Sequence, residues 1–311
     1  MSTIVTTFRL PPAAISLLEG LGELYGPDDW KAHLADAEGL IALLTVRVDE
    51  DLLARAPRLR VVANAVVGFD NVDLAACRTR GVQVTNTPDV LTDATADIAM
   101  GLLLAAVRRM TQAEASLRAG EFKGWDFWDY LGGDVSGARL GIFGMGRIGR
   151  AVARRAAAFG MRIQYNSRTR LPSEEERALG VEWVDWDTLL TTSDVLSLHA
   201  PASPETRHVL NRESLRRMKP GSYLINTARG TLIDEEALVE VLRDGPLAGA
   251  GLDVYEREPT VHPGLLTLPN VTLLPHIGSA TPATREAMAM LAARNVYAVL
   301  TGGSPLTPIP G

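Results

Sequence analysis

Cysteine is almost missing from this chain of 311 residues, where Cys77 stands alone. One thiol excludes a disulfide framework and any zinc cluster built on cysteines. In the setting Leu74-Ala75-Ala76-Cys77 it reads as a small buried hydrophobe. No pair of histidines has the spacing of a zinc motif such as HExxH, so no metal is expected. Long apolar runs are missing too. The longest, Ile98 to Val107, is ten residues, about half of the ~20 that a bilayer-spanning helix needs. The start, Met1-Ser2-Thr3-Ile4-Val5, lacks the basic and apolar stretches of a signal peptide. A cytoplasmic protein with no membrane partner is expected. Excess positive charge is absent as well. The net charge of −6 and a pI near 5.5 argue against nucleic acid as a partner, because phosphate binding needs a basic face. No internal repeat recurs at a fixed period, and the one low-complexity tail is the proline-rich last seven residues.

What is present is apolar and regularly alternating. The apolar fraction of 46% is too high for a disordered chain, and the length suggests two cores. Strands are expected at Thr3–Phe8, Leu40–Thr45, Arg60–Val67, Val82–Asn86, Arg139–Gly144, Arg162–Asn166, Val195–Ala200, Ser222–Asn226, Ala248–Val254 and Val271–Pro275. Continuous apolar runs suit strands buried on both faces. Their alternation with helical patterns suits parallel α/β sheets. Two long apolar helices are expected, from about Ala94 to Leu117 and from about Pro282 to Leu300. Gly120 to Gly137, rich in Trp, Phe, Asp and Gly, reads as a loop. A cofactor domain is therefore expected at 99–278. Residues 1–98 and 279–311 would form a second, discontinuous domain, with the long helices as the two crossings.

Gly144-Met145-Gly146-Arg147-Ile148-Gly149 lies between the strand Arg139–Phe143 and a helical stretch from Arg147 to Phe159. Strand, tight turn and helix are the context in which a GxGxxG motif binds a dinucleotide. The backbone N–H groups and the helix dipole favour a pyrophosphate there. The next strand ends Asn166-Ser167-Arg168-Thr169-Arg170, where an NAD-specific site usually carries Asp or Glu. A carboxylate would repel a 2′-phosphate, whereas arginine forks would hold it. NADP is therefore the expected cofactor, with NAD as the alternative. The bland reading leaves Arg168 and Arg170 merely solvated.

Arg229, Glu258 and His276 each follow the end of a separate apolar strand. If those strands are neighbours in one parallel sheet, all three reach the same edge, where ligands of such sheets bind. A guanidinium there can hold a carboxylate and polarise the carbonyl beside it. Hydride arriving at a ketone carbon leaves negative charge on oxygen, and His276 as imidazolium would donate the proton. Glu258 on the other ring nitrogen would orient the ring and favour its protonated form. His199 either lines the cofactor cleft or is structural. His33, His208 and His262 read as structural or exposed. Val67-Gly68, after the strand Arg60–Val67, would offer backbone N–H groups to a substrate carboxylate, the alternative being a simple turn. Phe122 to Trp128 reads as packing or a subunit contact rather than a nucleobase platform, since no basic groove accompanies it.

In these residues the chain resembles the D-isomer-specific 2-hydroxyacid dehydrogenases, most closely their glyoxylate/hydroxypyruvate reductase branch. The resemblance runs over nearly the whole chain. It is carried by Val67–Asn71, Asp89–Asp97, Gly144–Gly149, Ser167–Arg170, Asn226–Gly230, Asp253–Pro259 and Pro275–Thr281. It implies an α/β fold of two Rossmann-like domains, one flavodoxin-like and one dinucleotide-binding, with parallel sheets around a central cleft. By resemblance, Arg229 binds the 2-oxoacid, Glu258 and His276 form the acid/base dyad, and Asp253 holds the nicotinamide carboxamide. Val67 and Gly68 grip the substrate carboxylate. Thr95, Pro201, Thr206, Ala228 and Gly278 line the cofactor, beside Gly144, Gly146, Arg147, Ile148, Gly149, Ser167, Arg168 and Arg170. A homodimer is implied, with the Ala99–Gly137 region forming much of the contact. Thr307-Pro308-Ile309-Pro310-Gly311 leaves no room for the extra regulatory domain of some phosphoglycerate dehydrogenases.

The expected activity is NADPH-preferring reduction of glyoxylate and hydroxypyruvate to glycolate and D-glycerate. A second reading keeps the fold and dyad but takes another acid, such as phosphohydroxypyruvate or a bulkier one. A third, of another class, is a non-catalytic dinucleotide-sensing binding protein. Leu43, Thr45, Val90 and Trp125 are candidates to border the side-chain pocket.

Overall fold

The computed structural model describes residues 1–309; Pro310 and Gly311, the end of the proline-rich tail, lie outside the described residues. The chain forms two compact units. The first is Met1–Leu91 with the segment from Ser279 onward, and the second is Thr92–Gly278. The expected boundary at residue 99 falls inside the helix Thr92–Val107. A continuous helix moves as one body, so the division comes before its first turn.

In the first unit the strands are β1 (Ser2–Thr6), β2 (Gly22–Tyr25), β3 (Ala37–Ala42), β4 (Val61–Asn64) and β5 (Gln83–Thr85). They form one sheet in the order β2-β1-β3-β4-β5. Every pairing is parallel, and the order is that of flavodoxin-like sheets. Both faces are covered, which is why the strands read as unbroken apolar runs. Leu40 and Val62 enter one core cluster. Their neighbours Ile41 and Val61 enter the other, with Ala292 and Val296 of the helix Pro282–Leu300. That helix lies so close that a Cβ on Gly39 would stand 2.9 Å from Val296 Cγ1.

The second unit contains β6 (Arg139–Phe143), β7 (Arg162–Asn166), β8 (Val181–Trp183), β9 (Val195–Leu198), β10 (Tyr223–Asn226), β11 (Gly249–Leu252) and β12 (Val271–Leu273). Their order is β12-β11-β10-β9-β6-β7-β8, all parallel. Six of them follow the dinucleotide-binding order, and the strand order reverses between β6 and β9. The helix Thr92–Val107 packs on this sheet at β11, where a Cβ on Gly251 would stand 3.0 Å from Leu102 Cβ.

The expected helix from Ala94 to Leu117 is two helices, Thr92–Val107 and Met110–Arg118. Arg109 between them takes a left-handed φ of 53°. The Gly133 N–H donates to the Val107 carbonyl at 2.9 Å, so a returning loop satisfies the end of the first helix. No helix of the described residues is long and apolar enough to cross a membrane.

Candidate active site

Because all seven strands of the second unit are parallel, their carboxyl ends share one edge. The loops after β6, β7, β9, β10, β11 and β12 therefore open on the same side, with neighbouring strands about 4.8 Å apart.

The glycine turn follows β6. Gly144 has φ of 97°, and a Cβ on it would stand 2.5 Å from Ala200 N, so only glycine allows the turn to lie against the end of β9. Gly149 faces the Gly144 carbonyl, which a Cβ would meet at 2.3 Å. Gly146 is different: apart from its chain neighbours, no atom of the described residues lies within 4 Å of where its Cβ would be. Nothing internal demands glycine there, so the open side fits a ligand approaching the backbone. The helix Arg147–Ala158 starts at this point without a side-chain cap on Gly146. Its first-turn N–H groups, from Arg147, Ile148 and Gly149 onward, thus favour an anion. This cradle fits a dinucleotide pyrophosphate.

Asn166 at the end of β7 donates its amide to the Val184 carbonyl at 2.8 Å, and the Ser167 hydroxyl donates to the Thr169 carbonyl at 2.6 Å. Arg168 is exposed. It lies near enough to the loop after β9 for its charge to help, after hydrogen bonds, hold the Glu205 carboxyl below its usual range. Arg170, expected to share a phosphate fork with Arg168, is paired within its own unit. Its Nε and Nη2 both donate to Glu176 at 2.9 Å, and its guanidinium lies over the Trp183 ring. Glu176 also accepts from the buried Tyr165 hydroxyl at 2.7 Å. On the other side of the strand-order reversal, Thr206 Oγ1 accepts from the Ser203 N–H and donates to the Pro201 carbonyl, both at 2.8 Å. His199 Nε2 lies 2.8 Å from Ser197 Oγ, and burial pushes the ring down to about 4, so it stays neutral.

The loop after β10 is shaped by the buried Asn226. Its Oδ1 accepts from the Ala228 N–H at 3.0 Å, and its Nδ2 donates to the Arg229 carbonyl at 2.8 Å. Arg229 Nη1 donates to the Ala228 carbonyl at 2.8 Å. Gly230 sits directly on the loop after β11, where a Cβ would fall 1.8 Å from the Tyr255 carbonyl carbon. That approach sets Arg229 beside Glu258.

His276 Nδ1 is 2.8 Å from Glu258 Oε2. Glu258 Oε1 accepts the Tyr255 N–H at 3.0 Å, so both carboxylate oxygens are used. Burial pushes this carboxyl up, but His276, the Tyr255 N–H and the Arg229 charge together hold it below the usual range. With Nδ1 on the carboxylate, Nε2 is the ring nitrogen left to face a reactant. The Tyr255 hydroxyl donates to the Leu274 carbonyl at 2.8 Å, tying the two dyad loops together.

Asp253 has a position that composition alone does not disclose. It is 1% exposed, and its two oxygens accept the Ile277 and Gly278 N–H groups, each at 2.7 Å. Burial raises its carboxyl and those two bonds oppose the rise. The clamp fixes the turn in which His276 takes a left-handed φ of 55°. Gly278 in turn lies against Asp253 and Thr95, which a Cβ would meet at 3.2 and 3.4 Å. Aspartate after a strand was a sequence signal; its two backbone partners were not.

Val67 and Gly68 belong to the first unit, just after β4. The Asn86 and Asn64 amides donate to their carbonyls at 2.7 and 2.8 Å. Neither N–H has an acceptor among the described residues. Of the remaining histidines, His33 stacks on Tyr25, His208 pairs with Glu256 and His262 pairs with Glu236. No group of three or more potential metal ligands occurs among the described residues.

Residues 100–278 match the family model of the D-isomer specific 2-hydroxyacid dehydrogenase NAD binding domain. The chain is 46% identical to the glyoxylate reductase of Thermococcus litoralis over 97% of its own length and 95% of that protein's. Its structure is similar to a crystal structure from Thermus thermophilus, with a TM-score of 0.91 and 46% identity over 99% of this chain and all of the other. It is also similar to the NADPH-dependent glyoxylate/hydroxypyruvate reductase of Sinorhizobium meliloti in complex with NADP and malonate. There the TM-score is 0.89 and the identity 37%, covering 99% of this chain and 96% of the other. Motifs, sheet orders and these likenesses agree, and the chain belongs to the D-isomer specific 2-hydroxyacid dehydrogenases, a family of NAD(P)-dependent oxidoreductases.

Proposed function

We propose that this protein reduces small 2-oxoacids, glyoxylate and hydroxypyruvate, to glycolate and D-glycerate, and that it prefers NADPH. The observation that carries the reading is the 2.8 Å contact between His276 Nδ1 and Glu258, beside Arg229 and on the sheet edge that holds the glycine turn. The likeness to glyoxylate reductases supports the substrate class.

A bound nicotinamide dinucleotide supplies the hydride. Gly144, Gly146, Arg147, Ile148 and Gly149 would hold its pyrophosphate, and Thr95, Pro201, Thr206, Ala228, Asp253 and Gly278 would line the rest of its site. Arg229 holds the substrate carboxylate and draws electron density from the adjacent carbonyl, and in the first unit Val67 and Gly68 offer two N–H groups suited to gripping a carboxylate. His276 donates the Nε2 proton as negative charge develops on the carbonyl oxygen, and Glu258 steadies the resulting ring through Nδ1. In the reverse direction neutral His276 accepts that proton. The NADPH preference rests on Ser167 and Arg168, with a neutral Asn166 in place of a carboxylate that would repel phosphate. A homodimer is part of this reading. Met110, Leu117, Phe122, Trp125, Phe127, Trp128 and Leu131 are all exposed within one stretch of chain, and a second copy would cover them.

The test is NADPH oxidation with glyoxylate, in the protein and in His276→Asn. The variant is expected to lose at least about a hundredfold in kcat, the scale of general acid catalysis, while binding NADPH as before. An intact protein that binds NADPH yet oxidises it with no 2-oxoacid would refute the catalytic reading.

A further inference from the structure

The first unit contains a cavity of about 410 Å3 at the carboxyl edge of its sheet. Its floor is apolar: Leu10, Ala65, Met288 and Ala289 are all buried. Its walls carry three charges, Arg9, Arg285 and Glu286. Neither guanidinium has a hydrogen bond or ion pair among the described residues. Two positive groups therefore stand against one negative group over a concave apolar floor. Two helices also begin at this cavity, Pro12–Glu19 and Pro282–Leu300, and neither has an acidic residue in its first turn. Their dipoles add to the positive side.

The Ala65 wall is two residues upstream of Val67, and two residues of chain span at most about 7 Å. The cavity therefore begins within one small-molecule length of the backbone proposed to grip the substrate's first carboxylate. A four- or five-carbon chain spans a comparable distance.

We infer that this cavity receives the far end of a longer substrate and selects 2-oxoacids that carry a second carboxylate. The inference rests on the proposed grip of Val67 and Gly68 on the first one. Glyoxylate has no carbon beyond its aldehyde and does not reach Arg9 or Arg285. An uncharged chain of the same length fills the apolar floor and leaves both guanidiniums as they are. A terminal carboxylate meets them with charge-assisted bonds, which arginine forks favour.

The experiment compares initial rates at saturating NADPH for glyoxylate, 2-oxobutyrate, 2-oxovalerate, oxaloacetate and 2-oxoglutarate. It uses the full chain, Arg9→Gln, Arg285→Gln and Glu286→Gln. In the unmodified protein, kcat/KM for one of the two diacids is expected to exceed that of its uncharged partner by about tenfold, one charge-assisted pair. Each arginine substitution should remove most of that advantage through KM and leave glyoxylate within about twofold. Glu286→Gln should raise the advantage. Equal rates for diacids and uncharged acids would overturn the inference, as would a loss shared equally with glyoxylate. In both cases glyoxylate reduction by the unmodified protein would leave the proposed function standing. Absence of turnover with every acid would overturn both.

Discussion

Arg168 and Arg170 are two positions apart and identical in chemistry, yet their surroundings give them different work. Arg170 is held by both oxygens of Glu176 and lies over Trp183, so it shapes the turn. Arg168 is exposed at the sheet edge, next to Ser167. Arg168→Ala is therefore expected to raise KM for NADPH about tenfold and to leave NADH nearly unchanged, since a lost charge-assisted bond costs roughly 1.5–3 kcal/mol. Arg170→Ala should lower the melting temperature and change the ratio of the two KM values little. Initial rates with both cofactors check this, and equal weakening of NADPH and NADH by Arg168→Ala would remove Arg168 from the phosphate site. The repeated arginines were legible in the sequence. The difference between them was not, because it depends on Glu176 and Tyr165 arriving from a helix and a strand that pair only in the folded chain.

At the scale of elements, the site is made by loops pressed against one another. Gly230 is the point of closest approach, since the atoms around its missing side chain are backbone of Tyr255 and Glu256 and cannot rotate away. Gly230→Ala should cost about 3 kcal/mol, the upper part of the range for overpacking. Turnover should fall as well, since the substitution separates the loops that carry Arg229 and Glu258. Thermal melting and steady-state kinetics measure the two effects; a variant with unchanged melting and turnover would contradict the close contact. Most strands of both sheets could be read from their continuous apolar runs, because burial on two faces writes itself directly into composition. β2 and β8 escaped that reading, since Gly22-Glu23-Leu24-Tyr25 and Val181-Glu182-Trp183 are short edge strands with a charged residue in each. The break at Arg109 escaped it too. The helical pattern continues through that residue, and the partner for the Val107 carbonyl comes from Gly133. Arg229, Glu258 and His276 were legible as ionisable groups at strand ends, whereas the bonds of Asn226 and Asp253 that shape the loops of Arg229 and His276 act on backbone atoms and leave no periodic trace.

At the scale of the molecule, the exposed apolar residues between Met110 and Leu131 are the surface on which the proposed homodimer rests. Light scattering after gel filtration should give about 67 kDa, twice the chain mass of 33.4 kDa. Trp125→Ala with Trp128→Ala should shift micromolar samples toward the single-chain mass, and a single-chain mass for the unmodified protein would end the dimer reading. Asp253 grips the end of the second unit. Its two partners, Ile277 and Gly278, are the final residues of the dinucleotide unit before the chain passes out of it. The imidazole of His276 is thus anchored upstream of that exit. On the proposed reading, proton and hydride are supplied from within one unit, and the aim of His276 rests, among the described residues, on no bond outside it.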